Sequence, residues 1–268
     1  MGWHTQNFLR SNNVERLLDI AGLAPNDLVV DLGAGHGELT QRLARRCRRV
    51  IAVEQDPRLA DVLRTRFADQ PRVVVREQDL LETRLPREPY KVVANIPFDG
   101  TARVLSRLTS ARHAPESAHL VVQRQAAERM VGWPHQTLFG LVREPWFEPR
   151  IVHRFRRTDF APPPRVDVVF LRLRKRGPPL VCDAQREAFR AFVTYCFYAR
   201  GPSVACTLEV LLGYERTRRI ARSARLPLEA RPSDVPLDIW VAVFRAVADD
   251  VALRRRLGQF RPPRRRLP

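Results

Sequence analysis

Asn95, Ile96, Pro97 and Phe98 are the residues best suited to hold a reacting group, because they set an amide, a proline and an aromatic ring at the end of an apolar run. The Asn95 carbonyl can accept a hydrogen bond from an exocyclic amino group. The proline has no N–H and leaves neighbouring backbone carbonyls to accept another, while Phe98 can stack on a planar base. Together they would hold an aromatic amine. Taken alone, the same four residues read equally well as a strand followed by a proline turn.

Upstream lies a second constellation. Residues 28–32 form a short apolar run that leads into Gly33, Gly35 and Gly37, and then into a helix. Glycines there permit a tight turn and let a ligand lie against bare backbone, with N–H groups of the helix start pointing at it. The spacing is G-x-G-x-G, not the G-x-G-x-x-G that docks a pyrophosphate, which favours a cofactor without phosphates. The next strand, 50–54, ends in Glu54, where a Rossmann-type half places the acid that accepts both ribose hydroxyls. After a third strand at 72–76, Asp79 can accept from the amine of an adenine, or can simply be a turn aspartate.

These residues need a parallel sheet to bring them together. Strands are expected at 28–32, 50–54, 72–76, 90–94 and 118–122, alternating with helices, and ligands collect beyond the carboxyl ends of such strands. Residues 133–149 read as an aromatic, proline-rich loop. Residues 150–157 alternate apolar and basic side chains as an outer strand would, and 168–174 would be its antiparallel partner. Between them a stiff proline loop presents Phe160, which either packs in the core or closes over a flipped base. The Gly177-Pro178-Pro179 stretch marks a boundary, followed by helices at 185–199, 204–212, 215–224 and 237–249. The expected domains are therefore 1–176, 177–253 and an Arg-rich tail at 254–268.

The 268 residues carry a net charge of +18, from 47 basic against 29 acidic side chains, and 44% of them are apolar. A core is affordable, and the charge points to a polyanion, nucleic acid first. Only Lys91 and Lys175 are lysines, so codon bias toward arginine competes as an explanation, although it would not by itself create an excess of bases over acids. No apolar run is long enough to span a membrane and the N-terminus is polar, so the cytoplasm is the expected location, with no membrane partner. Cys47, Cys182, Cys196 and Cys206 show no metal-ligand spacing with histidines, so no metal site is expected and the thiols are read as reduced.

In order and approximate spacing, Q-N-F-L at 6–9, D-L-G-A-G-H-G at 31–37, V-E-Q-D at 53–56, Q-D-L-L at 78–81, N-I-P-F at 95–98 and F-A-P-P-P-R-V at 160–166 resemble the rRNA adenine N6-methyltransferases. That family holds the erythromycin-resistance (Erm) enzymes of 23S rRNA and the dimethyladenosine transferases of the small subunit. The short chain and Arg-rich C-terminal part look more like the Erm branch, although residues 198–203 depart from the basic cluster of both. The resemblance implies a Rossmann-like class I methyltransferase sheet, an α/β fold with helices on both faces, plus a small helical C-terminal domain. It implies S-adenosyl-L-methionine as cofactor. Asn7 and Leu9 would meet its amino-acid end, Gly33, Gly35 and Gly37 its backbone cradle, Glu54 its ribose and Asp79 its adenine. Asn95, Ile96, Pro97 and Phe98 would form the target site, with Phe98 and Phe160 stacking on the flipped adenine. The implied reaction is mono- or dimethylation of a specific adenine in 23S rRNA, conferring macrolide-lincosamide-streptogramin B resistance, by a monomer without a protein partner. The rival readings are a small-subunit rRNA dimethyladenosine transferase, a DNA amino-methylating enzyme, and a non-enzymatic RNA-binding factor on the same fold.

Overall fold

The computed structural model describes residues 8–9, 11–97, 100–199 and 201–260. Its elements run β1 (Phe8–Leu9), α1 (Ser11–Ala21), β2 (Leu28–Leu32), α2 (Glu38–Arg46), β3 (Arg49–Glu54), α3 (Pro57–Arg66), β4 (Val73–Glu77), β5 (Lys91–Asn95), α4 (Thr101–Ser110), β6 (Ser117–Gln123) and α5 (Arg124–Val131). They continue with α6 (Leu138–Leu141), β7 (Phe147–Arg154), β8 (Phe160–Ala161), β9 (Val168–Lys175), α7 (Arg186–Tyr198), α8 (Val204–Leu212), α9 (Tyr214–Ala224), α10 (Leu237–Arg245) and α11 (Val251–Gln259). No helix among the described residues is long and apolar enough to cross a membrane.

A seven-stranded sheet has the order β4-β3-β2-β5-β6-β9-β7. β2 pairs in parallel with β3 and β5, β3 with β4, and β5 with β6, whereas β9 runs antiparallel to β6. β2 is buried along its whole length, as a central strand covered on both faces must be, and its run of branched residues supplies that surface. One face packs Val29, Val50 and Val93 against Val14 and Leu18 of α1 and Leu43 of α2. Further along the same face Ala52 packs with Leu63 and Phe67. α3 starts where Pro57 fixes the first turn and the Asp56 carboxylate accepts the Arg58 N–H at 2.9 Å.

The expected strands are all present; most match within a residue, whereas the alternating 150–157 stretch lies three residues earlier, as the sheet's edge strand β7 at 147–154. Residues 133–149 differ from the expected loop, for they contain α6 and the start of β7. The chain divides into two compact units, one of residues 1–128 and 148–175, the other of 129–147 and 176–268. Residues 129–147 were expected in the first domain, yet their bonds explain the regrouping. The Thr137 hydroxyl caps α6 at the Gly140 N–H, Gln136 N–H donates to the Ser233 carbonyl at 2.8 Å, and Trp146 meets Phe189 edge to face at 5.9 Å. In that second unit, Phe189, Phe192, Trp240 and Phe244 form an aromatic core between α7 and α10. The segment expected to be tail from 254 onward begins as helix, since Asp250 caps α11 through the Leu253 N–H at 2.9 Å.

Candidate active site

Parallel pairing puts the carboxyl ends of four neighbouring strands on one edge. Read across it, the row is Asp79 after β4, Glu54 ending β3, the glycine turn after β2 and Asn95 ending β5. Three strand spacings separate its ends, roughly 14 Å.

The glycine turn hooks over β3. Gly33 and Ala34 N–H both donate to the Val53 carbonyl, at 2.8 and 3.0 Å, and Gly35 N–H donates to Glu54 Oε2 at 2.8 Å. Glu54 Oε1 accepts the N–H groups of Gln55 and Asp56 at 2.9 and 3.0 Å. Three backbone donors thus fix a carboxylate that is only 3% exposed; Oε1 takes two of them and Oε2 one, so Oε2 keeps further acceptor capacity. Gly33, at φ 77°, would carry a Cβ 3.8 Å from the Asn95 carbonyl oxygen and 3.7 Å from Pro97, so the turn and the Asn95 segment adjoin. Gly37 has a packing role besides the one expected. A Cβ there would lie 2.8 Å from both Leu63 and Phe67, so its bareness serves the packing of the turn on α3.

At β5, Ile96 N–H donates to the Val121 carbonyl at 3.2 Å and the Ile96 side chain is buried, while Pro97 is half-buried and its carbonyl accepts the Gly100 N–H at 3.1 Å. Asn95 sits half-buried at the strand end. Asp79 is held as a turn residue, with Oδ1 accepting the Leu81 N–H at 2.7 Å. Phe98 and Asn7 lie outside the described residues. Leu9 is placed by β1, which pairs antiparallel with β8 so that Leu9 faces Phe160 and Phe8 faces Ala161. Phe160 corrects the expectation of a stacking ring. It has no exposed surface and packs with Leu17, Val121 and Phe170, edge to face with Phe155 at 5.2 Å, so in this conformation it is core.

Two groups escaped the sequence reading. Asp31, inside β2, is 1% exposed, and burial pushes its carboxyl up to about 7 against the opposing help of the Thr40 hydroxyl at 2.7 Å; Glu54 nearby adds to the rise. Its signal was an acid within a fully apolar strand. Arg66 of α3 braces the turn from outside, donating to the His36 carbonyl at 2.6 Å and pairing with Glu38 at 3.0 Å. Beyond β6, Arg124, Arg157 and Arg165 line a hollow of about 230 Å³ together with Gln123 and Asp167.

The edge therefore offers bare glycine backbone, a buried acid and an amide, in the row expected of a nucleoside cofactor beside a planar amine. Over residues 3–248 the chain matches the family described as ribosomal RNA adenine dimethylase. It belongs to that family. An rRNA methyltransferase of Streptomyces thermotolerans is 34% identical over 242 residues, covering 90% of this chain and 81% of the relative. A ribosomal RNA small subunit methyltransferase A of Synechococcus is 33% identical over 222 residues, covering 80% and 79%. Among solved structures, 23S rRNA methyltransferase ErmE superposes with a TM-score of 0.82 at 30% identity, over 90% of this chain and 99% of ErmE. Within this family the chain is an rRNA adenine N6-methyltransferase with a Rossmann-like catalytic sheet.

Proposed function

We propose that the chain uses S-adenosyl-L-methionine to mono- or dimethylate N6 of one adenine in 23S rRNA, and that this modification confers macrolide-lincosamide-streptogramin B resistance. The observation that carries the reading is the adjacency of Gly33 to Asn95 and Pro97 beside the buried Glu54. The donor set suits this cofactor. The row holds carboxylates for hydroxyl and amino groups and bare backbone for close approach, and residues 31–37 contain no lysine or arginine to meet a phosphate. Its length of roughly 14 Å suits a nucleoside with an amino-acid tail.

Bound there, S-adenosyl-L-methionine supplies a methyl group on a positively charged sulfur. Glu54 takes the ribose hydroxyls, Asp79 the cofactor's adenine amine, Gly33 and Gly35 its close approach, and Asn7 and Leu9 its amino-acid end. Asn95 and the Ile96 carbonyl, which precedes Pro97, accept the two N6 hydrogens of the target base, while Phe98 stacks on its ring. Two acceptors draw the amine out of conjugation and aim its lone pair, so orientation and hydrogen bonding carry the catalysis. The amine loses a proton to solvent once it is methylated. An extruded or unpaired adenine is required, because a stacked and paired base cannot reach the edge.

The small-subunit reading is kept alive by the Synechococcus relative, whose identity is nearly that of the Streptomyces one. One experiment separates the two: rRNA from cells with and without the gene, mapped by primer extension and mass spectrometry. A new N6-methyladenine in the large-subunit RNA is expected. The same mark confined to small-subunit RNA would overturn the 23S choice, and no mark in either would overturn the activity.

A further inference from the structure

An open groove of about 810 Å³ runs along α4, walled on one side by that helix and on the other by the segment that follows β4. Arg84, Arg103, Arg107 and Arg112 line it, together with the half-buried Leu81 and Leu85. Glu82 is the one acid in the lining.

Several arginines elsewhere are neutralised within the chain: Arg42 meets Glu15 at 3.0 Å, Arg46 meets Asp19 at 2.6 Å, Arg48 meets Glu88 at 2.8 Å and Arg64 meets Glu77 at 2.7 Å. Other exposed arginines, such as Arg16, Arg45 and Arg58, make no ion pair among the described residues, so what distinguishes the groove is that it gathers four arginines around one concavity. Among the described residues, none of the four groove arginines makes an ion pair. Arg107 is tethered by donating to the Thr83 carbonyl, and its buried Nε has no acceptor among the described residues, so its charge is positioned but uncompensated. Favourable placement at the carboxyl end of α4 accounts for Arg107 and Arg112. It does not account for Arg103 in the first turn or Arg84 on the opposite wall.

We infer that this groove is a second RNA contact, in which Arg84, Arg103 and Arg112 grip phosphates of the strand flanking the target adenine while Leu81 and Leu85 face its sugars. The inference rests on the rRNA reading. α4 begins directly after the Asn95–Pro97 segment, so a strand whose base is held at Asn95 meets the first turn of α4 next. A polyanion with apolar faces between its charges fits a lining that mixes arginine with leucine.

The test uses the full chain and a 23S rRNA fragment that the wild type methylates. The triple variant Arg84→Gln/Arg103→Gln/Arg112→Gln is compared with the wild type in the slope of log Kd against log salt, and in KM and kcat. Each single-strand phosphate contact contributes about 0.7 to that slope. The slope is expected to fall by about 2, and KM to rise about tenfold or more, with kcat within about twofold. The corresponding triple lysine variant should restore the slope, and Arg48→Gln, whose partner is Glu88, should leave it unchanged. A triple glutamine variant with wild-type slope and KM would overturn the groove and leave methylation standing; a wild type that neither binds nor methylates rRNA would overturn both. Should the triple variant not fold, wild-type protein crosslinked to 4-thiouridine RNA is expected to carry the crosslink in peptides spanning 81–85 or 101–113, and crosslinks confined to other peptides would overturn the inference.

Discussion

The Asp31 carboxyl holds its proton to about pH 7 because β2 buries it with one hydroxyl for company and Glu54 close by. The native state thus binds a proton that the unfolded chain has lost, so stability declines as pH rises from about 4 through about 7, by about 4 kcal/mol at most. Asp31→Asn keeps the shape without the charge, and urea titrations at pH 5 and 8 should find its stability relative to the wild type higher at pH 8 than at pH 5. The same difference between the two proteins at both values would mean that Asp31 is ionised throughout. Gly37 makes a second claim at this scale. Its φ of 84° and the 2.8 Å approach of Leu63 and Phe67 leave no room for a methyl, so Gly37→Ala should lower the urea midpoint by the equivalent of about 2–4 kcal/mol. A change of a few tenths would show the turn to be more yielding. The three glycines were legible as a turn, and Glu54 as a strand-end acid, since both follow from spacing. That Gly37 answers to α3 was not, because the clash lies with side chains 26 and 30 residues away in sequence. Phe160 was undecidable for the same reason: whether a ring stacks on substrate or on Phe155 depends on tertiary neighbours.

At the scale of elements, the strand and helix alternation was readable because a buried parallel sheet demands apolar runs of a fixed kind. Residues 133–149 were not, because α6 has only four residues, too few for a period, and is held by Thr137 and by contacts within its own unit to residues distant in sequence. The β6·β9 pair sets His119 opposite Arg172. His119 Nδ1 and Arg172 Nε are buried without acceptors or donors among the described residues, and burial, with Arg172 and Lys91 adding to it, lowers the imidazole to about 4. The unfolded chain takes up that proton first, so stability falls as pH drops from about 6.5 to about 4, by about 3 kcal/mol at most. This slope is opposite to that of Asp31. His119→Leu should gain stability relative to the wild type as pH drops over that window, and a difference that does not change with pH would place the acid sensitivity elsewhere.

For the whole molecule, many of the 47 basic residues pair with the 29 acidic ones while the excess stays spread over the chain, which is why charge alone could name a polyanionic partner but not where it binds. Five or more phosphate contacts would make rRNA affinity fall about 10²-fold between 50 and 200 mM salt, and a flat salt dependence would contradict an electrostatic grip. The central claim is narrower: the amide at the end of β5 holds the target amine beside the cofactor. The measurement closest to it is single-turnover methyl transfer to 23S rRNA by wild type and Asn95→Ala, with S-adenosyl-L-methionine affinity measured by calorimetry on the same samples. A rate loss of about 10²-fold or more with cofactor affinity nearly kept is the predicted result; turnover of Asn95→Ala at the wild-type rate would contradict it.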